Sequence, residues 1–452
     1  MPSPSPVHVR FAASPSGYLH AGNARQAVIN TLFARAHHGR LTLRIDDADT
    51  ERTRTAFEVA IEQDLAWLGI AWEDKINQSA RRARYADAAE ALKKSGRLYP
   101  CFESEEELAA KRALRARRNL PPLYDRAMLS LTPAQRAAAE ANGKTPYWRF
   151  RLSDGAITWT DLILGPRDIR LDTVSDPVLI RADGMPLGIF ASIVDDLDTA
   201  ITHIIRGEDQ IAATAAQIEV WRALAPKKPL PEFGHLPLIA ELAGTKSTKR
   251  GGSVSLRTLR RDGIEPTALA AYLARLGTRR DPEPLTLAEL AANFSLDAFA
   301  RGTPRFDAKQ LLALNRRVLH SQPYDSVADR LPEGATEQFW CAIRANIDLL
   351  SEARHWWAII NGPIDPPEIP EAQMILQTAL QTLPDATPDA PWDETTWKSW
   401  ITAIAAQTHT SGKALQMPLR LALTGETHGP ELAALLPLMK RDLVINRLER
   451  AL

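Results

Sequence analysis

Within the first 70 residues, strand-like and helix-like runs alternate, and that alternation leaves few folds open. Val7–Ala12 reads as a buried strand and Ala24–Arg35 as a helix with Ala27, Val28 and Leu32 on one face. Leu41–Ile45 reads as a second strand and Thr55–Leu68 as an amphipathic helix. Strand–helix–strand units with short connections place their strands in parallel, so the start of the chain predicts a helix-covered parallel sheet. The first strand meets the first helix through Ser14-Pro-Ser-Gly-Tyr-Leu-His-Ala-Gly-Asn23. A helix N-terminus offers unpaired N–H groups and a partial positive charge, which suits a phosphate. Gly22 lets a ligand approach the backbone, and His20 adds a donor at the hinge. The same residues also suit a tight turn with a surface histidine, and the turn alone leaves both readings open.

Further along, residues 103–145 are rich in Glu, Arg and Ala and read as helical. Trp148–Leu152, Ile157–Thr160 and Asp168–Asp172 are short alternating runs. Ile189–Val194 and Ala200–Arg206 read as returning apolar strands, and Ile211–Leu224 as a helix. The parallel sheet is thus interrupted over 95–185 and then completed. Beyond Leu256 the pattern is helical: 266–277, 286–293, 307–319, 336–359, 371–381, 394–407 and 430–450, with proline-punctuated connectors at 363–370 and 384–391. The expected fold class is therefore α/β, a doubly wound parallel sheet with a small α/β insertion, followed by an all-α C-terminal half. Trp356, Trp357, Trp397 and Trp400 recur at helical spacing, which reads as core in preference to base-stacking platforms.

Composition narrows the setting. Among 452 residues, 45% are hydrophobic and 24% charged, ordinary values for a globular protein. No apolar run approaches the roughly 20 residues that span a bilayer, so no membrane role is expected. Cys101 and Cys341 make no disulfide framework, no Cys/His group has zinc-finger spacing, and the N-terminus has no signal pattern. A cytoplasmic location fits. The net charge is zero, but residues 321–452 hold 10 Lys and Arg against 17 Asp and Glu. The first 320 residues carry the compensating excess of cations, the likelier footprint for a nucleic acid.

A second informative stretch is Gly244-Thr-Lys-Ser-Thr-Lys-Arg-Gly-Gly252, after the strand-like Phe233–Ile239. Lys246, Lys249 and Arg250 crowd a glycine-bounded loop, with hydroxyls from Ser247 and Thr248. Such a loop suits a polyphosphate and the charge that develops on a leaving group; it also suits a solvated basic loop. It lacks the Walker A pattern.

The two stretches together resemble the signature elements of class I aminoacyl-tRNA synthetases: His20-Ala-Gly-Asn23 is similar to H-I-G-H, and Lys246-Ser-Thr-Lys-Arg250 to K-M-S-K-S. Arg10–Gly17, Leu43–Asp49, Thr202–Asp209, Ser411–Gly425 and Gly429–Leu432 resemble bacterial glutamyl-tRNA synthetases, in that family's order and over nearly the whole chain. The resemblance implies a Rossmann-type catalytic domain in 1–95 and 186–255, and an inserted acceptor-binding domain in 96–185. It implies a stem-contact helical domain in 256–320 and an anticodon-binding domain in 321–452. It also implies ATP with Mg²⁺, L-glutamate, and tRNA(Glu) or additionally tRNA(Gln) as partners, a glutamyl-adenylate intermediate, and a monomer.

By the same resemblance, Arg10 pairs with the γ-carboxylate, Ala12, Ser14 and Asp46 line the amino-acid site, and Arg206 adds a second cation. Ser14, His20, Gly22, Asn23, Lys246, Lys249 and Arg250 hold ATP, with His20 and Lys249 acting on the phosphates. Structural alternatives are an ion pair for Arg10, a helix cap for Asp46, Asp47 and Asp49, and an Arg206–Glu208 pair. This chain departs from the family pattern at Asp46 (usually Glu), at Gly188 (usually Tyr) and at Ser192 (usually Asn). The missing phenol raises a paralogue with altered amino-acid specificity, or without aminoacylation, as a second reading. Where some relatives hold zinc through several Cys and a His, this chain has only Cys101, so no zinc is expected.

Overall fold

The computed structural model describes residues 6–49, 53–240, 255–387 and 391–452, and the chain folds into two compact units. One comprises Met1–Thr258 and Leu269–Asp307, the other Leu259–Ala268 and Ala308–Leu452.

In the first unit, β1 (His8–Ala13), α1 (Ala21–Ala36), β2 (Arg40–Ile45), α2 (Thr55–Trp67) and β3 (Asp74–Asn77) follow in turn. β1 pairs with β2 and β2 with β3, both parallel, as the strand–helix–strand alternation predicts. Val9, Phe11, Leu41, Leu43 and Ile45 are buried in these strands. Next come α3 (Arg82–Lys94), β4 (Leu98–Cys101), α4 (Glu105–Arg117), α5 (Pro133–Ala141), β5 (Tyr147–Phe150), β6 (Ala156–Asp161), β7 (Gly165–Arg170) and β8 (Val178–Ile180). β4, β5 and β8 make an antiparallel sheet, and β6 and β7 a hairpin. The helical reading of 103–145 is thus two helices with a connector, broken where Pro121 and Pro122 cannot donate to a helix ladder.

α6 (Gly188–Asp198), β9 (His203–Gly207), α7 (Ile211–Leu224) and β10 (Glu232–Leu236) complete the sheet. β9 and β10 are parallel, and Thr202 N donates to His8 O (2.9 Å), which lays β9 beside β1. β1-β2-β3 and β9-β10 are separate hydrogen-bonded ladders, and laid side by side through Thr202 they run in the order β3-β2-β1-β9-β10. Its switch point lies between β1 and β9, where α/β sheets leave a crevice at the strand C-termini. The strand expected at Ile189–Val194 is instead α6. Phe190, Ile193, Val194 and Leu197 are its buried stripe, a helical period that a six-residue window cannot separate from a strand. These side chains pack with Phe150 and Leu179 of the insertion and Ile218 of α7 in one hydrophobic cluster.

α8 (Leu256–Arg261), α9 (Pro266–Arg275) and α10 (Leu287–Ala292) follow, and then α11 (Ala308–Ser321). The second unit is otherwise α12 (Glu337–Ile343), α13 (Ala353–Asn361), α14 (Gln373–Thr382), α15 (Glu394–Thr408), α16 (Lys413–Thr424), α17 (Leu432–Leu435) and α18 (Arg441–Arg450). The helices expected at 336–359 and 430–450 are each broken. In the first, Leu349 is extended and Asn315 Nδ2 of α11 holds Asp348 O (2.7 Å); in the second, Pro437 ends α17 in a short 3₁₀ turn. Trp356, Trp397 and Trp400 are buried, as core readings require, while Trp357 is partly buried against the same cluster. Gly429 has φ +138°, and a Cβ there would sit 2.1 Å from the Trp356 ring, so the segment before α17 needs glycine.

Candidate active site at the sheet switch point

α1 starts where β1 ends, and His20 is its N-cap. Its Nδ1 accepts the Gly22 N–H (3.1 Å) while Asn23 Oδ1 accepts the His20 N–H (3.3 Å), a reciprocal box. With Nδ1 accepting, the neutral ring carries its proton on Nε2. A Cβ at Gly22 would lie 3.0 Å from His20 Cε1, so glycine leaves the room this ring uses. Ser14 is exposed at the end of β1, its hydroxyl 3.4 Å from that of Ser16. Ser255 forms an antiparallel bridge with His20, and Leu256 N donates to Leu19 O (3.0 Å), so the chain returns to the start of α1 there. Lys246, Lys249 and Arg250 lie outside the described residues.

Arg10, Ala12 and Arg44 share one sheet face, since Ala12 is in register with Arg44 and Arg10 lies two residues earlier on the same strand. α6 covers them with Ser192 and Asp196, one turn apart. Arg10 Nε is 3.3 Å and Arg44 Nη1 2.9 Å from Asp196 Oδ1; Arg44 also bonds Asp46 (2.8 Å) and Ser192 Oγ (2.9 Å). Arg10, Arg44 and Asp196 are all buried. Arg10 thus has the ion pair of its structural alternative, but half of that pair is shared. Asp46 answers Arg44 rather than capping α2, whose N-cap is Arg54; Asp47 instead accepts Ser79 N–H (2.8 Å).

Arg206, near the end of β9, is 8% exposed. Its bonds go to His235 Nε2 (3.3 Å), Gln210 O (3.4 Å), Thr214 Oγ1 (2.6 Å) and Gln217 Oε1 (2.6 Å). The Arg206–Glu208 alternative is not what forms, because Glu208 accepts Leu238 N–H (2.9 Å). Burial and the neighbouring Arg10 pull the Arg206 guanidinium down to about 9, still protonated at neutral pH. Arg10 is lowered by burial too, whereas Asp46 and Asp196 outweigh burial for Arg44 and raise it. Gly188 begins α6, exposed, and a Cβ there would meet nothing within 4 Å. Among the described residues, Arg10, Ala12, Asp46 and Arg206 lie along or at the ends of β1, β2 and β9, Ser14, His20, Gly22 and Asn23 lead from β1 into α1, and Gly188 and Ser192 lie on α6. Sequence reasoning misses Arg44, Asp196, His235 and Asp161. Their signal is charged or polar residues inside apolar runs, where buried polar groups call for partners.

In the insertion, Cys101 is buried with Sγ 3.6 Å from Tyr124 Oη. Tyr124 (2.7 Å), Tyr147 (3.2 Å) and Lys111 (2.6 Å) all donate to Glu103. Burial pushes the Cys101 thiol up to about 11. Among the described residues no group of three His, Cys, Asp or Glu is placed to hold a metal, and no helix is long and apolar enough to cross a membrane.

A family model for the catalytic domain of class I tRNA synthetases (E and Q) matches residues 6–313, and one for an anticodon-binding domain matches residues 365–452. Fold, switch-point site and match define a class I aminoacyl-tRNA synthetase that uses ATP. The chain is 64% identical to a glutamate–tRNA ligase 2 of Acidiphilium cryptum, covering 98% of this chain and 99% of the relative. It is 57% identical to that of Granulibacter bethesdensis, covering 98% of each. A solved glutamate tRNA ligase of Elizabethkingia meningosepticum in complex with its amino acid superposes with a TM-score of 0.84, at 26% identity and 99% coverage of both chains. The chain belongs to the glutamyl-tRNA synthetase family.

Proposed function

We propose that this chain attaches glutamate to the 3′ end of tRNA(Glu) through a glutamyl-adenylate, with tRNA(Gln) as a further acceptor to be tested. The observation that carries the reading is the charge balance at the switch point. Among the described residues, Arg10, Arg44 and Arg206 face only Asp46 and Asp196 as bonded carboxylates. Glutamate at neutral pH carries one net negative charge and fits that surplus, whereas neutral glutamine leaves it uncompensated. Arg10 and Arg206 hold the acidic groups, and Ala12, Ser14, Asp46, Gly188 and Ser192 line the rest of the amino-acid site.

His20, Gly22 and Asn23, with Ser14, Lys246, Lys249 and Arg250, hold ATP, and Mg²⁺ accompanies its phosphates. A carboxylate oxygen of glutamate attacks the α-phosphorus, the bond to the bridging oxygen breaks, and pyrophosphate leaves. A hydroxyl of the terminal adenosine of tRNA then attacks the acyl carbon, AMP leaves with the bonding pair, and the hydroxyl proton passes to its phosphate. His20 Nε2–H and the Lys249 ammonium stabilise charge building on the phosphates, so catalysis is positioning plus electrostatics. Residues 96–185 take the acceptor end, 256–320 the stem and 321–452 the anticodon. The enzyme works as a cytoplasmic monomer.

It works without zinc. A thiol raised by burial is a poor ligand, and Glu103 is already committed to two phenols and an ammonium. Metal analysis of the purified protein is expected to find zinc well below one per chain; a stoichiometric ion that resists chelation would contradict this. The open space at Gly188 favours a second reading, altered amino-acid specificity. One assay separates the two. Charging of total tRNA with labelled glutamate, followed by hybridisation, is expected to show tRNA(Glu). Charging only with another amino acid would establish altered specificity, and no charging with any would end the enzyme reading and leave a paralogue that does not aminoacylate.

A further inference from the structure

We propose that the buried Asp161–His235 pair is a positioning device for Arg206 that sets the affinity for glutamate, an inference that rests on the assignment of Arg206 to the amino-acid site. His235 lies on β10 in register with Arg206 on β9, and Asp161 ends β6 of the inserted hairpin. Both side chains are shut off from solvent. Leu162 N donates to Phe233 O (2.8 Å), which docks the hairpin on β10 beside them.

The hydrogen bonds fix the proton. Asp161 Oδ1 accepts three backbone N–H groups, from Ile163 (3.1 Å), Leu164 (2.9 Å) and His235 (3.1 Å). Oδ2 is left for the ring, 2.5 Å from Nδ1. A carboxylate at Nδ1 places the ring proton there and makes Nε2 an acceptor. Nε2 faces Arg206 Nε at 3.3 Å and Thr214 Oγ1 at 3.0 Å. His235 therefore gives Arg206 an acceptor that carries no negative charge. A carboxylate in its place would neutralise the guanidinium, and an imidazolium or the other tautomer would set N–H against N–H. Gln210 O, Thr214 Oγ1 and Gln217 Oε1 are neutral acceptors as well. Arg206 is thereby held in one plane with its charge left for a carboxylate ligand.

Asp161→Asn tests this without changing shape. Its Oδ1 has to remain the acceptor for three backbone donors, so its amide nitrogen faces His235 Nδ1 and donates. The ring proton then moves to Nε2, against Arg206. With the full chain, ATP and tRNA, the glutamate KM is expected to rise on the order of tenfold to a hundredfold, with the ATP KM within about twofold. The ¹⁵N shifts of His235 should report the switched tautomer. His235→Asn, which reaches only Asp161, should behave like Asp161→Asn. His235→Gln, whose Oε1 reaches toward the Nε2 position, should restore much of the affinity. Arg206→Ala is measured alongside. If Arg206→Ala raises the glutamate KM while Asp161→Asn and His235→Asn leave it unchanged, the positioning role is overturned and the Arg206 assignment stands. If Arg206→Ala leaves that KM unchanged, the assignment falls and the proposal with it. A loss confined to kcat in the pair variants marks a merely structural pair and also overturns the proposal.

Discussion

Gly22 and His20 divide one small space at the start of α1. The ring sits over Gly22 because its Nδ1 takes the Gly22 N–H, and an added methyl would meet ring atoms at 3.0 and 3.1 Å. The imidazole gives way by turning about χ1 or χ2, which strains that bond and moves Nε2. Gly22→Ala is therefore expected to lower kcat about tenfold to a hundredfold in glutamate-dependent charging, with stability changed by less than about 1 kcal/mol. Steady-state kinetics together with a melting curve check both halves; unchanged kcat would mean that the position of His20 does not matter. The residue types are legible from sequence here because a Gly/His turn before an amphipathic run has a local physical meaning. His235 is not legible, because what it does depends on a strand pairing that places it beside Arg206, 29 residues away.

At the scale of elements, Arg447 explains how two helices of the second unit end. This buried side chain of α18 donates to Leu423 O near the end of α16, and to Ile359 O and Gly362 O (2.7 Å) at the end of α13. Helix C-termini leave carbonyls without intrahelical partners and carry partial negative charge, and a guanidinium answers both. Burial pulls its pKa down to about 10, so it stays charged. Arg447→Met fills similar space but orphans those carbonyls, and is expected to cost about 2–4 kcal/mol in denaturant unfolding. A loss under about 0.5 kcal/mol would show that the carbonyls find other partners. α7, buried on every side over Thr214–Trp221, and α15, with the single buried stripe Trp397, Trp400, Ile404 and Thr408, are both legible nearly to the residue. The strand expected in place of α6 and the unbroken helix expected at 336–359 both fail for physical reasons. A short apolar run fits either period, and an irregular turn held by Asn315 has no local signal.

For the molecule as a whole, burial of ionisable groups sets the response to acid. Burial lowers the pKa of His8, His203 and His235 below the ordinary 6.5. Between 6.5 and their folded values the unfolded chain binds protons that the folded chain does not, so stability rises with pH there and falls as the solution is acidified. Each such proton tilts unfolding by up to about 1.4 kcal/mol per pH unit. Chemical denaturation from pH 7.5 to 5 is expected to show falling stability, with a smaller slope in His235→Asn; a flat profile would mean that these rings protonate as readily folded as unfolded. The sequence by itself determined the parallel α/β start and the helical C-terminal half, which follow from local periodicity carried by neighbouring residues. It offered the Ser14–Asn23 turn as a phosphate site from turn chemistry, and Arg10 and Arg206 as ligand cations from a family resemblance. Only the tertiary structure decided that Arg10 and Arg44 share Asp196 while Arg206 bonds to neutral acceptors. Charge balance in a buried site belongs to strand order and helix packing, and no stretch of chain holds it alone.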